Sequence, residues 1–268
     1  MQRTLFLMLF IFSVLVSFAY RELGQTGRQN ILFSYFKGNG EDGLQLAYSN
    51  DGLNWFALND DRSFLTPTAG HDKLMRDPCI IQGPDKLFHM VWTVSWNERG
   101  IGYANSPDLI NWSEQKYIPV MEHEPQAQNC WAPELFWDER TKQYLIFWAT
   151  TIPGRFPDTD QQGAPNRIRN HRIYYTTTTD FEHFTPTRLL YDHGFNVIDA
   201  TICKQDSKYI MFLKDETDQP YQPEKNIRIA YADQAVGPYS KPSAPIHGNF
   251  WAEGPTCIRI GNMFYVYF

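Results

Sequence analysis

The chain has 268 residues, with 24 Lys and Arg against 30 Asp and Glu, giving a net charge of −6. The acidic balance argues against a nucleic-acid groove, which needs clustered basic residues, and the 43% hydrophobic content excludes a disordered chain. Aromatic residues make up 16%, and they suit half-buried strands and surfaces that stack on sugars. We therefore expect a folded, β-rich protein with a sizeable core.

The N-terminus has the pattern of a secretory signal. Arg3 is followed by an apolar run from Leu5 to Val16 and then by Ser17-Phe18-Ala19. We expect residues 1–19 to be a signal peptide outside the fold, with an uncleaved anchor as the alternative. The predicted location is secreted or periplasmic, with no membrane segment after cleavage.

The four cysteines are Cys79, Cys130, Cys203 and Cys257. Neither a C-x-x-C pair nor paired histidines accompany them, so a zinc site is not predicted. We interpret them as small hydrophobic residues of the core.

Turns along the chain repeat the pattern Asp-x-x-x-aromatic after a strand. It occurs at Asp51 to Trp55, Asp108 to Trp112 and Asp180 to Phe184, with a weaker copy at Asp233. The Asp side chain is predicted to cap the turn, and the aromatic residue to pack back onto the strand.

A second repeat places an acidic residue at the start of a strand and a strongly apolar strand ten residues later. The acids Asp77, Glu134, Asp199 and Glu253 are spaced by 57, 65 and 54 residues. Four-stranded sheets at such a period indicate an all-β, five-bladed β-propeller occupying residues 20–268 as a single domain.

Two of the five blades are expected to be incomplete. Residues 31–65 have no preceding inner strand, and the chain stops within a second strand at Phe268. The pattern predicts a C-terminal truncation within the fourth or fifth blade, with about 50–80 residues missing.

The first strand of each propeller blade lines the central channel, so the four acids are predicted to converge there. Each alone has an ordinary explanation as a turn cap or a rim ion pair. Carboxylates that share a cavity destabilise one another, so four at matched positions favour a functional site.

The motifs around these acids resemble family 43 of the glycoside hydrolases. They are Arg76-Asp77-Pro78, Trp131-Ala132-Pro133-Glu134-Leu135, Ile198-Asp199-Ala200 and Glu253-Gly254-Pro255. The resemblance implies a five-bladed propeller that hydrolyses glycosides with inversion. It also implies that Asp77 is the general base, that Asp199 orients the acid and holds its pKa, and that Glu253 is the general acid. Glu134, where the family commonly has Asp, and Ala200, where Pro is frequent, depart from the pattern.

Inverting hydrolysis needs one protonated carboxyl and one carboxylate about 6.5–9.5 Å apart, with water between them. Groups on opposite blades of a channel can stand at that separation. A second carboxylate near Glu253 would help to keep it protonated.

Further candidates surround the acids. Arg76 is predicted to bind sugar hydroxyls or to pair with a carboxylate, and Glu134 to contribute a subsite. Trp96, Trp131 and Trp251 are predicted to stack on sugar faces, with core packing as the alternative. The long polar loop 152–170 is a candidate wall of the pocket. No cofactor is required; the resemblance admits a structural Ca²⁺ in the channel, for which the sequence specifies no ligands.

The predicted function is an exported inverting glycosidase for α-L-arabinofuranosyl or β-D-xylosyl linkages of plant polysaccharides, acting as a monomer on carbohydrate. A non-catalytic carbohydrate-binding propeller and a fructan-cleaving retaining glycosidase are the alternatives.

Overall fold

In the computed structural model of this chain, the residues described are 13–16, 30–163 and 167–268. They form strands and turns, together with two single-turn 3₁₀ helices at Asn59–Asp61 and Pro157–Thr159. Within these residues, none of the helices has the length and apolarity needed to cross a membrane. The fold is a β-propeller with five blade sheets, as predicted.

The first blade has the strand order β1-β2-β3-β4. Its strands are β1 (Ser13–Val16), β2 (Ile31–Tyr35), β3 (Gln45–Ser49) and β4 (Phe56–Ala57).

Strand β1 lies inside the segment that we expected to remain outside the fold. It pairs antiparallel with β2, with Ser13 opposite Tyr35 and Val16 opposite Leu32. The physical reason is that an apolar run rich in β-branched residues readily covers the unpaired edge of β2. The rest of the N-terminal segment lies outside the described residues, and cleavage after Ala19 stays a prediction.

The second blade is a regular four-stranded antiparallel sheet. Its strands are β5 (Arg76–Gln82), β6 (Phe88–Thr93), β7 (Ile101–Ser106) and β8 (Lys116–Ile118).

The third blade contains an inserted hairpin between its second and third strands. In chain order, the strands are β9 (Trp131–Asp138), β10 (Gln143–Thr150), the hairpin β11 (Gln161–Gly163) and β12 (Arg167–Arg169), β13 (Arg172–Thr178) and β14 (Arg188–Tyr191). The segment 152–170, predicted as a long loop, thus carries a short hairpin of its own.

The fourth blade comprises β15 (Val197–Gln205), β16 (Lys208–Asp215) and β17 (Asn226–Ala232). The backbone amides of Ser240, Ser243 and Ile246 then donate to carbonyls of β17, so this stretch covers its outer edge. The fifth blade sheet consists of β18 (Thr256–Ile260) and β19 (Met263–Tyr267).

Five separate hydrophobic clusters fill the interfaces between successive blades. The second strand of a blade supplies much of each cluster because its residues are buried on both faces, as in Leu145 and Ile146 of β10. Trp92 and Trp148, both fully buried, anchor the interfaces between the first and second and between the second and third blades. Alternate residues of one apolar strand thus pack against two different neighbouring blades.

The interface between the fifth and first blades closes the ring. Ile258 packs with Ile31, and the Tyr267 hydroxyl donates a hydrogen bond of 2.9 Å to the carbonyl of Gly52. The ring of Tyr267 also meets Trp55 edge to face, at 5.8 Å between centroids. Among the described residues, this cluster is the smallest of the five, with two buried members.

The predicted Asp-capped turns are confirmed. At the first, Asp51 Oδ1 accepts hydrogen bonds of 2.8 Å from the amides of Leu53 and Asn54. Asp108 and Asp180 accept equivalent bonds in the next two blades. The weaker fourth copy differs, because Asp233 instead forms a salt bridge of 2.6 Å with Lys208.

All four cysteines are free thiols. Cys79 and Cys130 are buried, as predicted, whereas Cys203 and Cys257 are half-buried and pack together at the interface between the fourth and fifth blades.

Candidate active site

Two of the predicted catalytic acids stand at equivalent irregularities of their inner strands. Asp77 has φ = 50° and Asp199 has φ = 49°, both in the left-handed region. At each position the pairing with the next strand shifts register, between Arg76 and Cys79 in one blade and between Ile198 and Thr201 in the other. Asp tolerates this backbone conformation better than most residues, and such a bulge re-aims its side chain.

The Asp77 carboxylate is buried and only half satisfied by hydrogen bonds. Thr93 Oγ1 donates to Asp77 Oδ2 at 2.9 Å and accepts a bond of 2.8 Å from the amide of Ala132. Asp77 Oδ1 has no hydrogen-bond partner among the residues that the structure describes. Burial, with the charge of Glu253 adding to it, raises the pKa of Asp77 against the opposing effect of Arg76. A carboxylate with one free oxygen can hold a water and accept a proton from it.

Asp199 connects the fourth blade to the fifth. Its Oδ2 accepts a hydrogen bond of 3.1 Å from the amide of Gly254, next to Glu253 in the chain. Burial raises the pKa of Asp199 to about 7, with the charges of Asp77 and Glu253 contributing and Lys214 opposing. Asp199 thus fixes the backbone that presents Glu253.

Glu253 lies in the loop before β18, not at a strand start as predicted. The reason is local: Gly254 has φ = 62° and Pro255 has no amide hydrogen, so strand pairing begins only at Thr256. The carboxylate is about one-third exposed, and its Oε2 lies 2.6 Å from Lys214 Nζ.

Lys214 is a buried cation in the midst of the acids. Its Nζ also lies 2.6 Å from Glu216 Oε2. Burial alone would lower the pKa of Lys214, but the charges of Asp199, Glu216 and Glu253 together raise it above its ordinary value. The ammonium therefore stays protonated and offsets the repulsion among the carboxylates.

Glu134 also faces the acids, from the third blade. Thr201 Oγ1 donates a hydrogen bond of 3.1 Å to its Oε2. Burial raises the pKa of Glu134 to about 8, and the charges of Asp199 and Asp77 add to this effect. A protonated Glu134 would present a hydrogen-bond donor to a sugar hydroxyl near neutral pH.

Arg76, Trp96 and Trp131 form one aromatic and cationic wall. The Arg76 guanidinium stacks 4.2 Å above the ring of Trp96, and the rings of Trp96 and Trp131 meet edge to face at 5.4 Å. Arg76 and Trp96 both donate to Asn39 Oδ1, at 3.1 and 2.8 Å. Trp251 is apart from this stack and three-quarters exposed (75%).

Four residues with direct side-chain hydrogen bonds to the acids or their wall were missed from the sequence: Thr93, Thr201, Lys214 and Asn39. Lys214 carried a signal, since it is a charged residue at the end of the very apolar strand β16. Thr93 ends the corresponding strand β6, so a comparison of strand ends between blades would have found both.

The described part of the chain contains no preformed cluster of side chains that would bind a metal ion in the channel. No group of three or more His, Cys, Asp or Glu side chains there has the arrangement of a metal site. Lys214 and Arg76 both supply positive charge among the acids, and the structural Ca²⁺ stays a prediction.

Comparison with known proteins agrees with this architecture. Residues 28–263 match a family model described as a probable glycosyl hydrolase domain, related to glycoside hydrolase family 43. The chain belongs to this family. The matched region includes all three predicted catalytic acids of the family 43 resemblance.

An α-L-arabinofuranosidase of Bifidobacterium longum subsp. longum is 25% identical over 216 residues, 71% of this chain. The chain spans only 20% of that relative's length. Among solved structures, the α-L-arabinanase of Cellvibrio cellulosa in complex with arabinohexaose superposes with a TM-score of 0.63 at 14% identity, covering 95% of this chain and 84% of its own. A xylan β-1,4-xylosidase of Bacillus halodurans gives 0.62 at 13% identity, covering 95% and 48%. These two likenesses establish the family 43 propeller fold.

Proposed function

We propose that this family 43 member is an inverting glycoside hydrolase acting on α-L-arabinofuranosyl or β-D-xylosyl linkages of plant polysaccharides or oligosaccharides. The observation that carries the proposal is that Asp77, Asp199 and Glu253 interact electrostatically at one site. Asp199 also binds the amide next to Glu253, and Lys214 pairs with Glu253. The names of the arabinofuranosidase, arabinanase and xylosidase relatives support the choice of sugars.

Asp77 is the proposed general base. Its Oδ2 is held by Thr93, which leaves Oδ1 to accept a proton from a water. Its raised pKa makes it a stronger base than an exposed Asp. The water then attacks the anomeric carbon as the glycosidic bond breaks.

Glu253 is the proposed general acid. Lys214 occupies its Oε2, so Oε1 is the oxygen that delivers a proton to the departing glycosidic oxygen. Asp199 touches the backbone beside Glu253 through Gly254, which makes it a positioning residue. Base and acid on opposite sides of the sugar correspond to inversion.

The two roles separate in an experiment that varies the leaving group. Asp77→Ala should lower kcat/KM by about 10²–10⁴-fold on two kinds of substrate. One is the nitrophenyl arabinofuranoside or xyloside, and the other is the corresponding unactivated disaccharide. Glu253→Ala should lose far more on the disaccharide, because nitrophenolate departs with little help from an acid. Asp42→Asn, which changes an exposed carboxylate, serves as the control. Activity that survives in both alanine variants would refute the assignment.

The alternatives predicted from the sequence have their own readouts. Calorimetric binding of sugars without turnover would indicate a carbohydrate-binding propeller. Release of the retained anomer, followed by NMR, would indicate a retaining enzyme such as a fructan-cleaving glycosidase.

Export, monomeric state and independence of cofactors belong to the same proposal. Mass spectrometry of the exported protein should find a new N-terminus after Ala19, and light scattering should give a single-chain mass. Activity should persist after dialysis against a chelator; loss and recovery with Ca²⁺ would instead assign a metal to the channel.

A further inference from the structure

A cavity next to the candidate active site is lined in part by Trp96 and Trp131 of its aromatic wall. Its volume is about 460 Å³, within the range of ligand pockets in proteins. The lining consists of aromatic, amide and cationic residues, principally Trp96, Trp131, Asn97, Gln128, Arg167 and Arg169.

The cavity and the candidate active site share two side chains. Trp131 Nε1 donates a hydrogen bond of 3.1 Å to the carbonyl of Trp96, which holds the pair in place. Trp96 carries the stacked Arg76, the neighbour of Asp77, and the amide after Trp131 binds Thr93, the partner of Asp77. A saccharide at the acids can therefore extend across the tryptophan pair into the cavity.

The charge of this cavity is opposite to that of the chain. Among the described residues, no Asp or Glu lines it, whereas Arg167 and Arg169 both do, in a protein with a net charge of −6. His171, also in the wall, adds no charge at neutral pH, because burial lowers its pKa to about 4. The two guanidiniums are thus the charged groups that face a ligand.

Both arginines lack a carboxylate partner within the described ranges. Arg167 donates to the amide oxygen of Asn97, and the half-buried Arg169 lies 6.0 Å from the centroid of the Trp131 ring. Asp218 is in electrostatic range of Arg169, but its carboxylate is 3.0 Å from Lys225. By contrast, Arg172, on the next strand, is paired with Asp192.

We propose that this cavity is a subsite for the carboxylate of a uronic acid residue in the substrate. A half-buried guanidinium without an anion is costly, and its planar donors match a carboxylate in bidentate geometry. The tryptophans supply the apolar face for the pyranose ring, and Asn97 and Gln128 supply amides for its hydroxyls. The proposal rests on the proposed glycosidase function and narrows its substrate to glycans that contain a uronic acid.

Calorimetric titration with matched ligand pairs tests this subsite independently of turnover. One pair is xylotriose bearing a glucuronic acid branch and its methyl ester; the other is trigalacturonic acid and its methyl ester. At least one acid should bind about tenfold tighter than its ester, since the ester keeps the shape and removes the charge. In Arg169→Gln and Arg167→Gln, this acid-to-ester ratio should fall below about threefold.

Arg188→Gln removes an exposed arginine from β14 and should keep the ratio of the unmodified protein. Three outcomes would overturn the proposal: neither acid binds, acid and ester bind equally well in both pairs, or the acid-to-ester ratio persists in both subsite variants. A sulfated xylotriose that binds as tightly as the uronate would also overturn the choice of carboxylate. Binding with the expected ratio but without hydrolysis would count only against the glycosidase function.

Discussion

Replacing Asp199 by Asn tests whether this carboxylate is held in the protonated form by the fold. Asn keeps the shape and an oxygen to accept from Gly254, but it cannot ionise. Folding raises the pKa of Asp199 from 3.8 to about 7, so the folded chain binds more protons than the unfolded chain between these values. The contribution of Asp199 to stability is therefore fully present below pH 4 and is lost as the pH rises towards 7.

The size of the effect follows from this shift. A difference of about three pKa units corresponds to roughly 4 kcal/mol of lost stability once the pH exceeds both values, and to about 1.5–2 kcal/mol at pH 5. The stability of Asp199→Asn relative to the unmodified protein should thus increase by about 2–3 kcal/mol from pH 5 to pH 8. Urea denaturation at both pH values measures it, with Asp42→Asn as an exposed control. A difference between variant and unmodified protein that stays constant with pH would refute the reasoning.

Three further substitutions test the ion pairs, the core and the ring closure. Lys214→Met leaves Glu253 and Glu216 without the ammonium 2.6 Å away and should lower the free energy of unfolding by about 3–5 kcal/mol. Lys208→Met, at a surface salt bridge, should change it little. Equal urea midpoints for the two variants would contradict a buried ion pair. Leu213→Ala opens a cavity between the third and fourth blades and should lower the free energy of unfolding by about 2–5 kcal/mol in the same assay. The exposed Leu189→Ala should lower it far less. Similar losses for the two variants would contradict the assigned packing. Tyr267→Phe removes the hydrogen bond to Gly52 and should lower the free energy of unfolding by about 1 kcal/mol. Tyr265→Phe on the same strand is the control. An unchanged melting temperature for Tyr267→Phe would show that the hydrogen bond contributes nothing to stability.

The positions of the acids were accessible from the sequence because they follow the repeat. Asp77 and Asp199 recur at matching offsets before the apolar strands β6 and β16, and the fold places them at matching bulges. The Asp-capped turns were predictable for the same reason, since their hydrogen bonds span only two or three residues.

The partners of the acids were not accessible, because they depend on register and blade packing. Lys214 reaches Glu253 across 39 residues, and Trp96 reaches Asn39 across 57. A bulge of one residue decides which side chain faces the channel, and the periodic pattern does not specify it. The strand start at Glu253 was misplaced because Gly254 and Pro255 delay pairing, although both residues are visible in the sequence.

The interface between the fifth and first blades is the least extensive one among the described residues. Two buried residues and a side-chain hydrogen bond hold two segments that are 215 positions apart in the chain, whereas the interfaces between the first four blades are far more extensive. Local opening should therefore begin there, and amide hydrogen exchange should be faster in β2 and β18 than in β10 or β16. Asp77 and Asp199 lie in the second and fourth blades, whereas Glu253 lies in the loop before β18. Opening at this interface should therefore disturb the position of Glu253 more than those of Asp77 and Asp199.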